Sequence, residues 1–192
     1  MQRIATLLVS LLATLGILSA DHHESAPPNT LTDAEKEAGW ILLFDGSDAA
    51  AHWRNYQQDG LSEGWVVENG ELIRREKGAG DIITKEQYAA FDFRMDFKIS
   101  QHGNSGLMFH VTEEEKRPWQ TGPEIQIQDH IGGKDPQKAG WLYQLYEAPE
   151  GVDAFKGHDR WNTLRILITP EGCEQWLNGV KYCEYVKGSE EW

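Results

Sequence analysis

The chain has 192 residues, of which 26% are charged and 40% hydrophobic, and its formal net charge at pH 7 is −13. This acidic balance argues against nucleic acid and anionic membranes as partners, because phosphate binding needs clustered Lys and Arg side chains. A chain of this length is expected to form one domain with a substantial core.

Residues 1–20 have the features of a secretory signal peptide. One basic residue, Arg3, precedes an apolar run from Ile4 to Leu18, and small residues close the segment. We predict removal of residues 1–20 and export to the periplasm or the cell exterior. The run is short for a membrane span and no Cys follows to carry a lipid, so no membrane anchor is expected.

Residues 21–38 are predicted to be a flexible lead-in with a short helix. The early part contains two prolines and no apolar pattern, which is typical of an unstructured segment. Thr32 is a candidate N-cap, and Glu35 three residues later completes a capping box. The folded domain is expected to span residues 39–192.

From Gly39 onward, short apolar or alternating runs recur between turn signals. They are Ile41–Phe44, Trp65–Val67, Glu71–Arg74, Phe91–Ile99, Gly106–Val111, Glu124–Gln128, Trp161–Ile168 and Gln175–Val186, the last broken at Asn178-Gly179. Many strands and no long helix predict an all-β fold with two packed antiparallel sheets, a sandwich or jelly roll. The loop over residues 130–157 is long enough to suggest a binding function.

The segment from Glu124 to Asp129 alternates polar and apolar residues. In a strand, Glu124, Gln126 and Gln128 share one face while the two intervening Ile residues enter the core. A one-residue bulge after Gln126 would add Asp129 to that face, giving two carboxyl groups that flank an amide and could carry acid/base chemistry. The alternative is an ordinary amphipathic strand with a solvated outer face.

Other candidates for function lie on either side of this strand. Asn104 opens a strand that places His110 on the same predicted polar face as Glu124, although Asn104-Ser105-Gly106 also fits a simple tight turn. Aromatic rings stack on sugars, and Trp119, Trp141 and Tyr143 are the candidates for a ligand, with Trp161 assigned to the core.

Metal binding is left open. His110, Glu124, Asp129 and His130 are suitable donors, but no short ligand spacing fixes a site, so a divalent cation as cofactor is neither required nor excluded.

The two cysteines, Cys173 and Cys183, lie in the hairpin that turns at Asn178-Gly179. A regular register places Cys173 opposite Glu184 and Gln175 opposite Tyr182, so the two thiols project from opposite faces. We expect two free thiols unless a bulge changes this register.

Eight motifs together resemble the 3-keto-disaccharide hydrolase domain family. They are Gly39–Gly46, Trp65 with Asn69–Leu72, Phe91–Phe93, Asn104–Gly106, Thr121–Gln126 with Asp129, Gly140–Tyr143, Arg160–Asn162 and Trp176–Gly179. The resemblance implies a concanavalin A-like jelly roll, export, and cleavage of glycosides that carry a ketone at sugar C3.

The resemblance also implies site residues. Glu124, His110 and Asp129 would serve as base and leaving-group acid, and Asn104, Gln126 or a bound cation would stabilise the developing oxyanion. The sequence departs from the family in having His110 where Arg is common. It also ends at Trp192 where members usually continue, so we expect the last strands of the jelly roll to be absent.

Two alternatives remain beside the hydrolase. A non-catalytic carbohydrate-binding module uses the same fold, and a structural surface protein is a third reading. Carboxylates that converge in one cleft favour the enzyme, whereas aromatics without paired acids favour the module. A 3-keto-glycoside is the partner expected for the enzyme.

Overall fold

A computed structural model describes residues 27–190. The predicted signal peptide at residues 1–20 lies outside this range. Within it, a short helix, α1 (Asp33–Glu37), precedes ten strands. They are β1 (Trp53–Asn55), β2 (Trp65–Glu68), β3 (Glu71–Arg74), β4 (Ile82–Thr84), β5 (Phe91–Phe97), β6 (Asn104–Met108), β7 (Glu124–Gln128), β8 (Asn162–Ile168), β9 (Cys173–Leu177) and β10 (Val180–Tyr185). Over residues 27–190, no helix has the length and apolar character needed to traverse a bilayer.

Helix α1 begins with the predicted capping box. The Glu35 amide donates to Thr32 Oγ1 at 3.1 Å, and the Thr32 amide donates to Glu35 Oε2 at 2.8 Å. Glu35 also forms an ion pair with Arg94 on β5. The cap and the ion pair together attach the helix to the sheet.

The larger sheet has four antiparallel strands in the order β10-β9-β8-β5. Strand β5 pairs with β8 over seven residues, from Phe91 opposite Ile168 to Phe97 opposite Asn162. The predicted alternation of β5 is confirmed, because its apolar residues pack on the buried cluster of the core.

Strands β6 and β7 form a second layer across the core. Ile125 and Ile127 of β7 belong to the same buried cluster as Leu164 and Ile166 of β8. The loop after β7 extends this layer: Gln126 N donates to Trp141 O at 2.9 Å, and Tyr143 N donates to Glu124 O at 2.8 Å. The architecture is all-β and matches the predicted two-layer sandwich of the jelly-roll type.

Strand pairs β1–β4 and β2–β3 complete the fold. The strand expected over Ile41–Phe44 is absent from the structure; this segment is anchored instead by Trp53 Nε1, which donates to Leu43 O at 2.9 Å. The strand expected over Gly106–Val111 is Asn104–Met108. It ends early because His110 adopts a left-handed backbone with φ 52°.

The hairpin between β9 and β10 turns at Asn178-Gly179 as predicted. Both residues have positive φ, 51° and 79°, which is the geometry of a type I′ turn. A bulge between Lys181 and Cys183 shifts the pairing beyond the turn.

The bulge makes the predicted cysteine register wrong. Cys183 pairs with Gln175, and Cys173 pairs with Tyr185. The extra residue lets the Tyr182 ring enter the core, where its hydroxyl accepts a hydrogen bond from Ala154 N at 2.7 Å. Both cysteines are free thiols even with this bulge.

Candidate active site

The polar face of β7 carries Glu124, Gln126 and Gln128. Five consecutive residue pairs join β7 to β6 without a register shift, so the alternation is regular. The alternative of an ordinary amphipathic strand requires a solvated outer face. Gln126 and Gln128 are buried, so this face is not solvated. The loop after β7 folds over this end of the strand, and Gln128 Nε2 donates to Asp135 O at 3.0 Å.

Asp129 lies apart from this face. Without a bulge in β7, the chain turns at Asp129 into the following loop. Its fully buried carboxylate accepts hydrogen bonds from His102 N at 2.9 Å and Gly132 N at 3.4 Å. The His102 N–H holds the pKa of the Asp129 carboxyl below its ordinary value, with smaller contributions from Gly132 and His158. The expected arrangement, two carboxyl groups flanking Gln126, is therefore wrong.

Glu124 occupies the opposite end of β7 and is half-buried. Its carboxyl group lies over Gly106 of β6: a Cβ atom built on that glycine would be 1.9 Å from Glu124 Oε1. Burial raises the pKa of the Glu124 carboxyl to about 7, and the nearby charges of Asp135 and Asp81 act in the same direction. A carboxyl group with this pKa exchanges protons readily at neutral pH.

Gln126 is the nearest neighbour of Glu124 on the same face of the strand. Its Oε1 accepts a hydrogen bond from Ile127 N at 3.1 Å. Its Nε2 is buried and has no hydrogen-bond partner among residues 27–190. A buried donor without an acceptor calls for an explanation such as a ligand group or water. The Gln126 amide thus keeps one unused donor on the face that carries Glu124.

Asp135 and Tyr143 border this site from the loop. The Tyr143 hydroxyl donates to Asp135 Oδ2 at 3.0 Å. This places Tyr143, a predicted sugar-binding residue, at the candidate site through its contact with a charged neighbour of Glu124. Sequence reasoning missed Asp135 and Asp81; the only signal for Asp135 was its place in the loop expected to be functional.

His110 does not share the face of Glu124. Its left-handed backbone interrupts the alternation of β6, and its ring bonds elsewhere. Nε2 contacts Ala89 O at 2.9 Å, and Nδ1 contacts Lys187 Nζ at 3.3 Å. The expected adjacency is wrong, and the catalytic role assigned to His110 stays a prediction.

The remaining candidate ligand-binding residues differ in their exposure to solvent. Asn104 pairs with Gln128 and is exposed on the polar face, as predicted. Trp119 is 60% exposed, whereas Trp141 packs partly against the core with Lys138 Nζ 5.7 Å from its ring. Trp161 was expected in the core, but this prediction is wrong because the residue lies before the first residue of β8 and is 47% exposed. Lys98 Nζ lies 4.7 Å from its ring.

The four candidate metal donors do not converge. The His130 ring is already paired with Asp153: His130 Nε2 lies 2.9 Å from Asp153 Oδ2. In the described part of the chain, no group of three or more His, Cys, Asp or Glu side chains could hold a metal ion.

An all-β sandwich of two packed sheets is the architecture of jelly-roll proteins, a class that includes carbohydrate-binding domains. The model of the 3-keto-alpha-glucoside-1,2-lyase-like domain family matches residues 39–192. The chain belongs to this family, and the resemblance drawn from its motifs is confirmed.

Individual relatives agree with this assignment. A protein of Bacteroides thetaiotaomicron named 3-keto-disaccharide hydrolase is 25% identical over 180 residues, which cover 80% of this chain and 61% of the relative. The chain therefore spans less than two thirds of that relative.

Two crystal structures from Parabacteroides distasonis, both of candidate glycosyl hydrolases, also match. One is 32% identical with a TM-score of 0.75, covering 85% of this chain and 80% of the other. The second is 23% identical with a TM-score of 0.56, covers 79% of this chain and 68% of the other, and shows likeness of fold alone.

Proposed function

We propose that this protein cleaves the glycosidic bond of 3-keto-glycosides, with Glu124 as the base. The observation that carries the proposal is the polar face of β7. There, a half-buried carboxyl group with a pKa of about 7 lies next to Gln126, whose amide Nε2 has no partner among the described residues. A base and an unused hydrogen-bond donor on one strand face suit removal of a proton beside a carbonyl group.

The first step removes the proton at sugar C2. The ketone at C3 acidifies this C–H bond, and the Glu124 carboxylate accepts the proton while negative charge moves to the C3 oxygen. We assign Gln126 Nε2, which has no partner among residues 27–190, as the donor to that oxyanion. A pKa near 7 leaves a substantial fraction of Glu124 ionised at neutral pH.

The second step expels the leaving group from C1. The electrons of the enolate form a C1=C2 double bond, and the C1–O bond breaks. Protonated Glu124 returns its proton to the departing oxygen, which becomes a hydroxyl. Water then adds its oxygen to C1 and a proton to C2, so that the sum of the steps is hydrolysis. This route uses one carboxyl group twice and does not need Asp129 or His110.

The comparisons support the substrate class. A relative named 3-keto-disaccharide hydrolase aligns over most of the chain, and the family name refers to cleavage of keto-glucosides. Asn104 lies on the same face as Glu124 and adds an exposed amide for sugar hydroxyls. We also propose that the protein acts in the periplasm or outside the cell, on the basis of the signal-like pattern of residues 1–20.

Turnover of a 3-keto-disaccharide of glucose tests the proposal. The wild-type protein should release free sugar, and Glu124→Gln should reduce kcat at least about 1,000-fold, because the amide cannot accept the proton. Glu150→Gln is the matched control, since Glu150 is exposed and is not among the charged groups that act on Glu124. Equal rates for the wild type and Glu124→Gln would remove Glu124 from the mechanism. A parallel assay with EDTA reports whether a cation takes part.

A further inference from the structure

An open cleft lies between the loop that follows β7 and the loop that precedes β8. It has a volume of about 500 Å³ and is lined by Ile131, Gly157, His158, Asp159 and Arg160. Asp129 is five residues from Glu124 along the strand, a separation of about 16 Å in extended backbone. Neither Glu124 nor Gln126 lines the cleft.

The His158 imidazole lies against the buried Asp129. His158 Nδ1 lies 3.5 Å from Asp129 Oδ2, and the His158 side chain is 37% exposed. Asp129 is itself fixed by the amides of His102 and Gly132. His158 Nδ1 is buried and has no hydrogen-bond partner among residues 27–190, and the exposed part of the imidazole borders the cleft.

The loop that carries the other polar groups has a fixed backbone. Asp159 adopts a left-handed conformation with φ 54°, and its amide donates to Ile99 O at 2.8 Å. The buried Asn162 side chain donates to Arg160 O at 3.0 Å and accepts from Lys156 N at 2.9 Å. Asp is one of the few non-glycine residues that tolerate this conformation, and these hydrogen bonds fix it here. The side chains are thus presented by a preorganised segment.

The lining groups fit a neutral polyhydroxy ligand. The Arg160 guanidinium supplies donors, the Asp159 carboxylate supplies acceptors, and an imidazole supplies one of either kind. The formal charges of Arg160 and Asp159 cancel, which favours a neutral ligand over an anion. Ile131 is 71% exposed beside them and offers an apolar contact for the C–H face of a sugar ring.

We propose that this cleft is a carbohydrate-binding subsite, which takes a neutral sugar unit through hydrogen bonds donated by Arg160, accepted by Asp159 and shared with the His158 imidazole. Its position at the far end of β7 suits a sugar of the substrate that is remote from the cleaved bond. That last role rests on the proposed function, whereas sugar binding at the cleft does not.

Binding to the Glu124→Gln variant tests the subsite without turnover. Maltotetraose and cellotetraose are titrated by calorimetry, and ¹⁵N-labelled protein is followed by NMR. Saturable binding of at least one of them is expected, with shifts of the Gly157 and Gly132 amides. Arg160→Ala and Asp159→Asn, each added to this variant, should weaken binding at least about 10-fold, because each removes charged hydrogen bonds to the sugar. Arg117→Ala, a change at an exposed arginine outside the cleft, should leave it unchanged.

Three results would overturn the subsite: no saturable binding of either sugar by the folded variant, equal weakening by Arg117→Ala, or shifts confined to Tyr143 and its neighbours. Failure of the proposed function has a different signature. If the wild-type protein binds oligosaccharides at Gly157 but does not cleave a 3-keto-disaccharide, the proposed subsite stands and the proposed hydrolase activity is refuted.

Discussion

Replacement of Glu124 by Gln should stabilise the protein at alkaline pH. In the unfolded chain this carboxyl group ionises around pH 4.5, whereas in the folded protein its pKa is about 7. Ionisation therefore favours the unfolded state, and wild-type stability falls as the pH rises from 4.5 through 7. Below pH 4 the group is protonated in both states and the penalty disappears. The Gln variant carries no such penalty at any pH.

The size of the effect follows from the two pKa values. A rise from 4.5 to about 7 corresponds to about 3 kcal/mol in the free energy of unfolding if the site were shielded from water. Glu124 is only half-buried, and solvent screening reduces the expected gain to about 1–2 kcal/mol at pH 8. Near pH 4 the gain should be close to zero. The difference between the two pH values removes any constant effect of the amide.

Urea unfolding of the wild type and Glu124→Gln at pH 4 and pH 8 measures this difference. Glu113→Gln is a control of opposite sign. In the wild type, hydrogen bonds from Arg54 lower the pKa of the Glu113 carboxyl to about 2. The Glu113→Gln variant should therefore lose stability at pH 8. A Glu124→Gln variant whose stability relative to wild type is the same at both pH values would refute the reasoning about burial.

Further outcomes follow from the same site and from the core. Asp135→Asn removes a negative neighbour of Glu124, so the acid limb of the kcat/KM profile should move to lower pH by several tenths of a unit; an unmoved limb would exclude this coupling. Gly106→Ala places a methyl group on the Glu124 carboxyl and should lower kcat/KM about 100-fold with the fold retained by circular dichroism; wild-type activity would contradict the close approach of the carboxyl to β6. Burial raises the pKa of the Cys183 thiol to about 12 and also raises that of Cys173, so neither should react with a thiol reagent until the protein is unfolded; rapid labelling of the native protein would contradict this.

Features that depend on neighbouring residues could be predicted from the sequence. The alternation of β5 and β7, the capping box of Thr32 and Glu35, and the turn at Asn178-Gly179 all follow from local geometry. The residues that meet in the candidate site could be predicted only in part. Glu124 and Gln126 share a strand face, but Asp135 and Asp81 approach Glu124 through the fold and leave no spacing signal.

Single-residue departures from regular pairing account for most of the wrong predictions. The bulge at β10 changes the partners of Cys173 and Cys183, and the left-handed conformation of His110 turns its side chain away from Glu124. The expected bulge in β7 does not occur, which separates Asp129 from the polar face. Bulges and left-handed residues are selected by packing across the sheets, so a strand pattern does not locate them.

Deuterium at sugar C2 tests removal of the C2 proton by Glu124 most directly. The wild-type protein and Glu124→Gln are incubated with a 3-keto-disaccharide in D₂O, and the products are examined by NMR and mass spectrometry alongside an enzyme-free sample. The proposed route predicts that each cleaved 3-keto sugar carries deuterium at C2, well above the enzyme-free background, and that Glu124→Gln produces neither cleavage nor enzyme-dependent exchange. Cleavage by the wild type with the C2 proton retained would contradict it.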